Sequence, residues 1–192
     1  MLTSSVGNRL LSLDISGWKT RDERIFRVIS DHCGQLRYLD FSSNQFRDFP
    51  NANNGLISIA KGCPHLKCLK LRHCNCWVND ETTQLLLNER RASGDQLLVE
   101  LEVLDIRFCA VESTIPMFST LFPQLNRFDI RDIKVECGLV EEFLIQHSSA
   151  NQSEFIELIL TVFEDDYSYK IEFDEMISKY PKANVIVNYV NM

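Results

Sequence analysis

The sequence predicts an α/β fold in which short parallel strands line a concave face and helices back them on the convex face. Three observations carry that prediction. A nine-residue pattern with apolar residues at positions one, four and six recurs along the chain. Stretches between its copies place apolar residues at i, i+3, i+4 and i+7, the spacing of a helix with one buried stripe. No low-complexity tract or Pro/Gly/Ser-rich linker divides the 192 residues, so one continuous stack of units accounts for them.

The pattern is clearest around residues 56–80. Leu56, Ile59, Ala60 and Cys63 form a helical stripe, which Gly62 and Pro64 end. From Leu66 the period becomes two: Leu69 and Leu71 alternate with Lys70 and Arg72, and Cys74 closes the unit. This Leu-x-x-Leu-x-Leu-x-x-Cys run is the signature of a leucine-rich repeat. Other copies are Leu10/Leu13/Ile15 before Trp18, Leu36/Leu39/Phe41 before Asn44, and Leu101/Leu104/Ile106 before Cys109. Leu125/Phe128/Ile130 precede Ile133, and Phe155/Leu158/Leu160 precede Phe163. A weaker seventh copy starts at Ala183 with Ile186. The spacings of 26, 30, 35, 24, 30 and 28 lie at or near the usual repeat length, with the 35 read as an insertion at Ala92–Asp95. The expected fold is therefore one leucine-rich repeat solenoid over residues 1–192, a right-handed superhelix of about seven repeats.

The helices follow from their own signals. Thr20 and Glu23 form a capping box ahead of Ile25, Phe26, Ile29 and Cys33. Residues 51–55 read as loop before the Leu56 helix. Asn79-Asp80-Glu81 opens a helix to about Arg91, and Pro116 suits the first turn of a short one bearing Phe118, Leu121 and Phe122. Val140, Phe143, Leu144 and His147 make the next stripe, and Phe173, Met176, Ile177 and Tyr180 the last, before Pro181.

Composition narrows the function classes. Of 27 acidic and 20 basic residues, eight acids and only Lys170 fall in 154–176, leaving 19 of each sign elsewhere. A nucleic-acid binder would carry a basic face instead. No apolar run is long enough to span a bilayer, and the first residues lack a signal peptide's basic start and apolar centre. Seven cysteines cannot all pair internally, and several sit at inward repeat positions; reduced thiols of a cytoplasmic or nuclear protein are expected. Asn151-Gln152-Ser153 is read as a chance match to a glycosylation acceptor.

Cys63, His65, Cys68, His73, Cys74 and Cys76 invite a zinc reading, but the repeat frame sends Cys63 and Cys74 inward and Cys68 and His73 outward. No metal or cofactor is expected. Adjacent His32-Cys33 and His73-Cys74 pairs point apart, and no phosphate loop or nucleophile elbow occurs, so no catalysis is expected.

The richer constellation lies on the sheet. Position five carries Asp14, Asp40, Lys70, Asp105, Asp129 and Ile159; position seven carries Ser16, Ser42, Arg72, Arg107, Arg131 and Thr161. With strands about 4.8 Å apart, Arg72, Arg107 and Arg131 form a ladder roughly 10 Å long. One reading has these arginines and aspartates pairing among themselves and solubilising the sheet. The other is a recognition stripe for a protein partner, with Arg72, Arg107, Arg131, Asp105, Asp129, Lys70 and Asp40 as the charged groups and Phe108 and Tyr38 as aromatic anchors. On the second reading, reversing Arg107 and Arg131 to Glu abolishes binding with little change in melting temperature.

The run Gly62-Cys63-Pro64-x-Leu66-x-x-Leu69-x-Leu71-x-x-Cys74, with Asn79-Asp80-Glu81 opening the next helix, resembles the cysteine-containing repeats of F-box/leucine-rich-repeat proteins and ribonuclease-inhibitor-like folds. The resemblance implies a module that binds substrates for a cullin-type ubiquitin ligase; no segment of this chain matches an F-box. Leu71–Cys76 and Leu101–Ile106 with Cys109 are also similar to the leucine-rich coupling factor of mitochondrial ATP synthase, which would imply a mitochondrial assembly role. An independent interaction scaffold is the third expectation.

Overall fold

The computed structural model describes residues 7–18, 22–44, 52–74, 78–94, 97–150, 156–164 and 167–191. Strands and helices alternate in chain order: β1 (Ser12–Asp14), α1 (Arg24–His32), β2 (Tyr38–Asp40), α2 (Ala52–Gly62), β3 (Cys68–Lys70), α3 (Asp80–Ala92), β4 (Val103–Asp105), α4 (Met117–Leu121), β5 (Arg127–Ile130), α5 (Cys137–Ala150), β6 (Glu157–Glu164), α6 (Tyr167–Ser178) and β7 (Asn184–Asn191). The strands form one all-parallel, seven-stranded sheet in sequence order, a solenoid-like α/β arrangement. Among the described residues, no helix is long and apolar enough to cross a membrane.

Each strand sends positions four and six of its unit to the helices. Leu39, Leu69, Leu104, Phe128 and Leu158 occupy position four, and Phe41, Leu71, Ile106, Ile130 and Leu160 position six; all are essentially buried. The helical stripes meet them. Phe26 of α1 stacks on Phe41 at 5.2 Å, and rings continue through Phe118, Phe128 and Phe143 to His147 at centroid spacings of 5.2, 5.3 and 5.6 Å. Burial holds the His147 imidazole below its ordinary pKa.

Position nine explains the cysteines. In successive units Asn44 Nδ2 donates to the Ile15 carbonyl (2.8 Å), Cys74 Sγ to Phe41 (3.5 Å) and Cys109 Sγ to Leu71 (3.0 Å). Each buried side chain thus ties its unit to the position-six carbonyl of the unit before. Burial also pushes the Cys63 thiol up to about 12, with Cys33 adding to the shift, so it stays protonated.

Three expectations change. Helix α2 begins at Ala52 rather than after Gly55. Gly55 then lies within the helix at a close approach: a Cβ on Gly55 would lie 2.5 Å from the Phe26 ring, and one on Gly62 would lie 2.4 Å from Ser30 Cα. The two glycines are seven residues apart, on one helix face, and let α2 press onto α1. The seventh unit is shifted by one residue. Val185 and Val187 pair with Leu158 and Leu160, while Ile186 pairs with Ile159 and is 38 % exposed. A one-residue slip exchanges the faces of a strand, and the Val185/Val187/Tyr189 alternation, packed against the core, decides the frame.

Helix α1 begins at Arg24, with Glu23 at its N-cap making no side-chain cap bond, rather than behind a Thr20/Glu23 capping box, while α3 and α4 start where expected. Asn79 caps α3, its side chain accepting from Thr82 N–H at 3.0 Å. Pro116 precedes α4, whose Phe118 and Leu121 are buried. Thr20, Cys76, Trp77, Phe155 and the Asn151-Gln152-Ser153 triplet lie outside the described residues.

Candidate functional site

The face of the sheet turned away from the helices is built from positions five and seven. Asp14, Asp40, Lys70, Asp105, Asp129 and Ile159 lie in register across β1–β6, as the spacing predicts. Beyond the short strands the ladder continues for one more unit. N–H groups of Gly17, Ser43, His73 and Phe108 donate to the carbonyls of Ser42, Arg72, Arg107 and Arg131 at 2.7–3.3 Å. These donors occupy position eight, and with Asp132 they share a left-handed backbone with φ between 56° and 65°.

The aspartates close this turn. Asp14, Asp40, Asp105 and Asp129 each accept from the backbone N–H two residues on, at 2.9–3.3 Å. Asp105 and Asp129 also hold arginines in two-pronged clamps. Arg107 donates Nε to Asp105 Oδ1 at 2.9 Å and Nη2 to Oδ2 at 2.8 Å; Arg131 meets Asp129 with the same two distances. Arg107 Nε also lies 3.5 Å from Asp129. The clamps push both guanidinium pKa values further up, through the hydrogen bonds first.

The stripe of like charges expected on this face is therefore an alternating lattice. Side chains of Asp40, Asp105 and Asp129 are only 4–8 % exposed, whereas those of Arg72, Arg107 and Arg131 are 21–34 % exposed. The carboxylates are buried beneath the guanidinium groups because acid and base two residues apart lie on one side of a strand and close on each other. Asp40, Asp105 and Asp129 thus serve the turn, and only the arginine edges remain for a ligand. The Asp105-Ile106-Arg107 and Asp129-Ile130-Arg131 spacing carried that signal.

The third unit departs from the lattice. Lys70 stands where the others have Asp, so Arg72 has no carboxylate on its own strand. Its backbone N–H goes to Ser42 Oγ at 3.2 Å, and its guanidinium reaches across strands to Asp40 at 3.4 Å and Asp105 at 3.6 Å. Lys70 sits 5.1 Å from the ring centroid of Tyr38, whose contact raises the lysine's pKa. A cavity of about 360 Å³ opens there between Tyr38, Lys70, Arg107, Arg127 and Arg131. Arg127 is paired with Glu157.

Phe108 is 41 % exposed and stacks on His73, with centroids 4.1 Å apart and planes within 10°. A reading of the charged positions alone misses this pair, because it depends on the turn that aims position eight outward. Asp80 was also not singled out beyond opening α3. It accepts from the N–H groups of Glu112, Ser113 and Thr114 and from both hydroxyls, at 2.7–3.2 Å. Desolvation opposes ionisation of Asp80, but these hydrogen bonds prevail and hold its pKa below the usual carboxylate value.

Comparison of the sequence with protein-family models and with curated proteins finds no match.

Proposed function

We propose that this chain is a leucine-rich repeat solenoid, a right-handed superhelix whose sheet face recognises a protein partner without catalysis. The observation that supports the reading most is the arginine row of β3–β5. Arg107 and Arg131 are pinned by buried aspartates through Nε and Nη2, while each guanidinium edge stays part-exposed. A side chain already ordered and partly desolvated loses less on binding than a free surface arginine. Phe108 and Tyr38 add aromatic surface beside the row, the residue types that dominate interface energetics. Arg72, Arg107, Arg131, Lys70, Phe108 and Tyr38 are the proposed contacts; Asp40, Asp105 and Asp129 hold the three arginines in place.

Within that reading, the resemblance to cysteine-containing repeats favours substrate binding for a cullin-type ubiquitin ligase in the cytoplasm or nucleus. Affinity purification from native cells, with mass spectrometry of co-purifying proteins, tests it. Cullin-ligase subunits together with one enriched substrate are expected. Mitochondrial inner-membrane subunits in their place would remove the ligase role and favour the coupling-factor resemblance.

A further inference from the structure

Position eight forms a column of left-handed residues along the sheet's end: Gly17, Ser43, His73, Phe108 and Asp132. Its side chains change abruptly in size. His73 and Phe108 stack face to face, while Gly17 and Ser43 on the other flank of His73 leave a step. That step is a cavity of about 370 Å³, lined by Gly17, Ser42, Ser43, Arg72, His73 and Phe108 among others. It forms a slot beside His73 that can continue the stack the chain itself begins.

The floor of the slot is charged in a particular way. Arg107 and Arg131 are held by own-strand carboxylates at 2.8–2.9 Å, but Arg72 meets its carboxylates across strands at the longer 3.4 and 3.6 Å, and its Nε donates to the neutral Ser42 hydroxyl at 3.3 Å. Arg72 is therefore the guanidinium that an incoming anion can engage with least loss, and it is 34 % exposed. Lys70 is the cause, since it replaces the aspartate that would clamp it. The lattice defect and the aromatic step fall in consecutive residues, Arg72 and His73, and open into the same cavity.

We infer that this slot takes an aromatic side chain of a partner segment that presents an anionic group with its ring, the ring stacking on His73 above Ser43 and the anion meeting Arg72. The inference rests on the recognition reading above and names the chemistry its partner should offer. The anion has two sources, a phosphate on the ring, as in phosphotyrosine, or a carboxylate on the neighbouring residue.

The test titrates the full chain with N-acetyl-phosphotyrosine amide and with acetyl-Glu-Phe-amide, following the His73 and Phe108 ring signals by NMR. Inorganic phosphate and N-acetyl-phenylalanine amide serve as the separate halves. One of the two composite probes is expected to shift both rings and to bind roughly tenfold more tightly than either half, the order of one added stacking contact. Arg72→Gln should reduce that probe to the level of the phenylalanine amide. His73→Asn, a residue that tolerates the left-handed backbone, should reduce it to the level of its anion. Binding no tighter than the halves, or unchanged in both variants, overturns the proposal. So does tighter binding of adenosine monophosphate, which would make the slot a nucleotide site. If the composite probes fail while capture of a cellular partner still depends on the arginine row, this slot falls and the recognition reading stands; if capture is independent of the row, the recognition reading falls.

Discussion

The middle of the sheet and its C-terminal end are built from the same unit and finish their strands differently. Strands β2–β5 run three or four residues, end in a left-handed turn and carry a lattice of aspartate and arginine. Strands β6 and β7 run eight residues each and pair along their whole length. The difference lies in two positions. Where the fourth and fifth units carry Asp and Arg at five and seven, the sixth carries Ile159 and Thr161, β-branched residues that favour continued strand and offer no turn-closing carboxylate. Ile159 and Thr161 are 5 % and 4 % exposed, and Ile186 beside them is 38 % exposed, so the charged face gives way to an apolar, uncharged one. Aspartate at position five thus closes the turn where it occurs and, in the fourth and fifth units, also anchors the arginine; the Lys70 unit makes the same left-handed turn without it.

The largest effect expected from this contrast is at Arg107. Arg107→Ala leaves Asp105 and Asp129 buried with one counter-charge fewer, and should cost about 3 kcal/mol, the low end for a broken buried pair because one side reaches water. Thr161→Ala, at the equivalent position of the sixth unit, should cost about 1 kcal/mol, an ordinary buried truncation. Urea unfolding of both checks the pair, and equal losses would show that the lattice contributes nothing special. It also revises an expectation from sequence: reversing Arg107 and Arg131 to Glu would set four carboxylates together and lower the melting temperature, so binding tests need milder changes.

Core packing is common to both regions and provides a reference. Leu104→Ala should cost about 2–5 kcal/mol through an unfilled position-four site. A neutral result would mean that Leu104 does not face the helices. Asp80→Ala comes next, because five donors from the segment before α4 lose one acceptor; a loss of about 1.5–3 kcal/mol is expected. Since the Asp80 pKa is depressed, its contribution is complete above the ordinary carboxylate value near 3.8 and fades as pH falls below it. Acid unfolding of the parent and of Asp80→Asn measures that difference.

The smallest effect is at His147. Its folded pKa is lowered from 6.5 by burial, so the unfolded chain binds the proton first. Stability should hold above about pH 6.5 and decline as pH falls through the lowered folded value. His147→Leu should flatten that part of the stability profile; an unchanged slope would place the proton elsewhere.

Much of the architecture was legible in sequence because position four and six apolar residues and the helical stripes are local, periodic signals. Val140, Phe143, Leu144 and His147 were one stripe and are one buried face. The seventh unit was misread by one residue because VIVNYV is apolar on both parities, and only pairing with β6 selects Val185 over Ile186. The candidate face was legible as positions but not as chemistry. Register placed Asp105, Asp129, Arg107 and Arg131 together, whereas burial of the carboxylates and the clamp geometry depend on how the turn folds. The His73–Phe108 stack was beyond the pattern, since strand alternation alone says nothing of where a left-handed residue points.

The most direct test of partner recognition compares the two regions in one experiment. Proteins captured from native cells by the parent chain would be quantified against those captured by Arg72→Gln and by Ile186→Asp, with melting curves showing that each variant is folded. Loss of a defined protein set in Arg72→Gln and its retention in Ile186→Asp is the result expected. Identical capture by all three would contradict a recognition role for the arginine row.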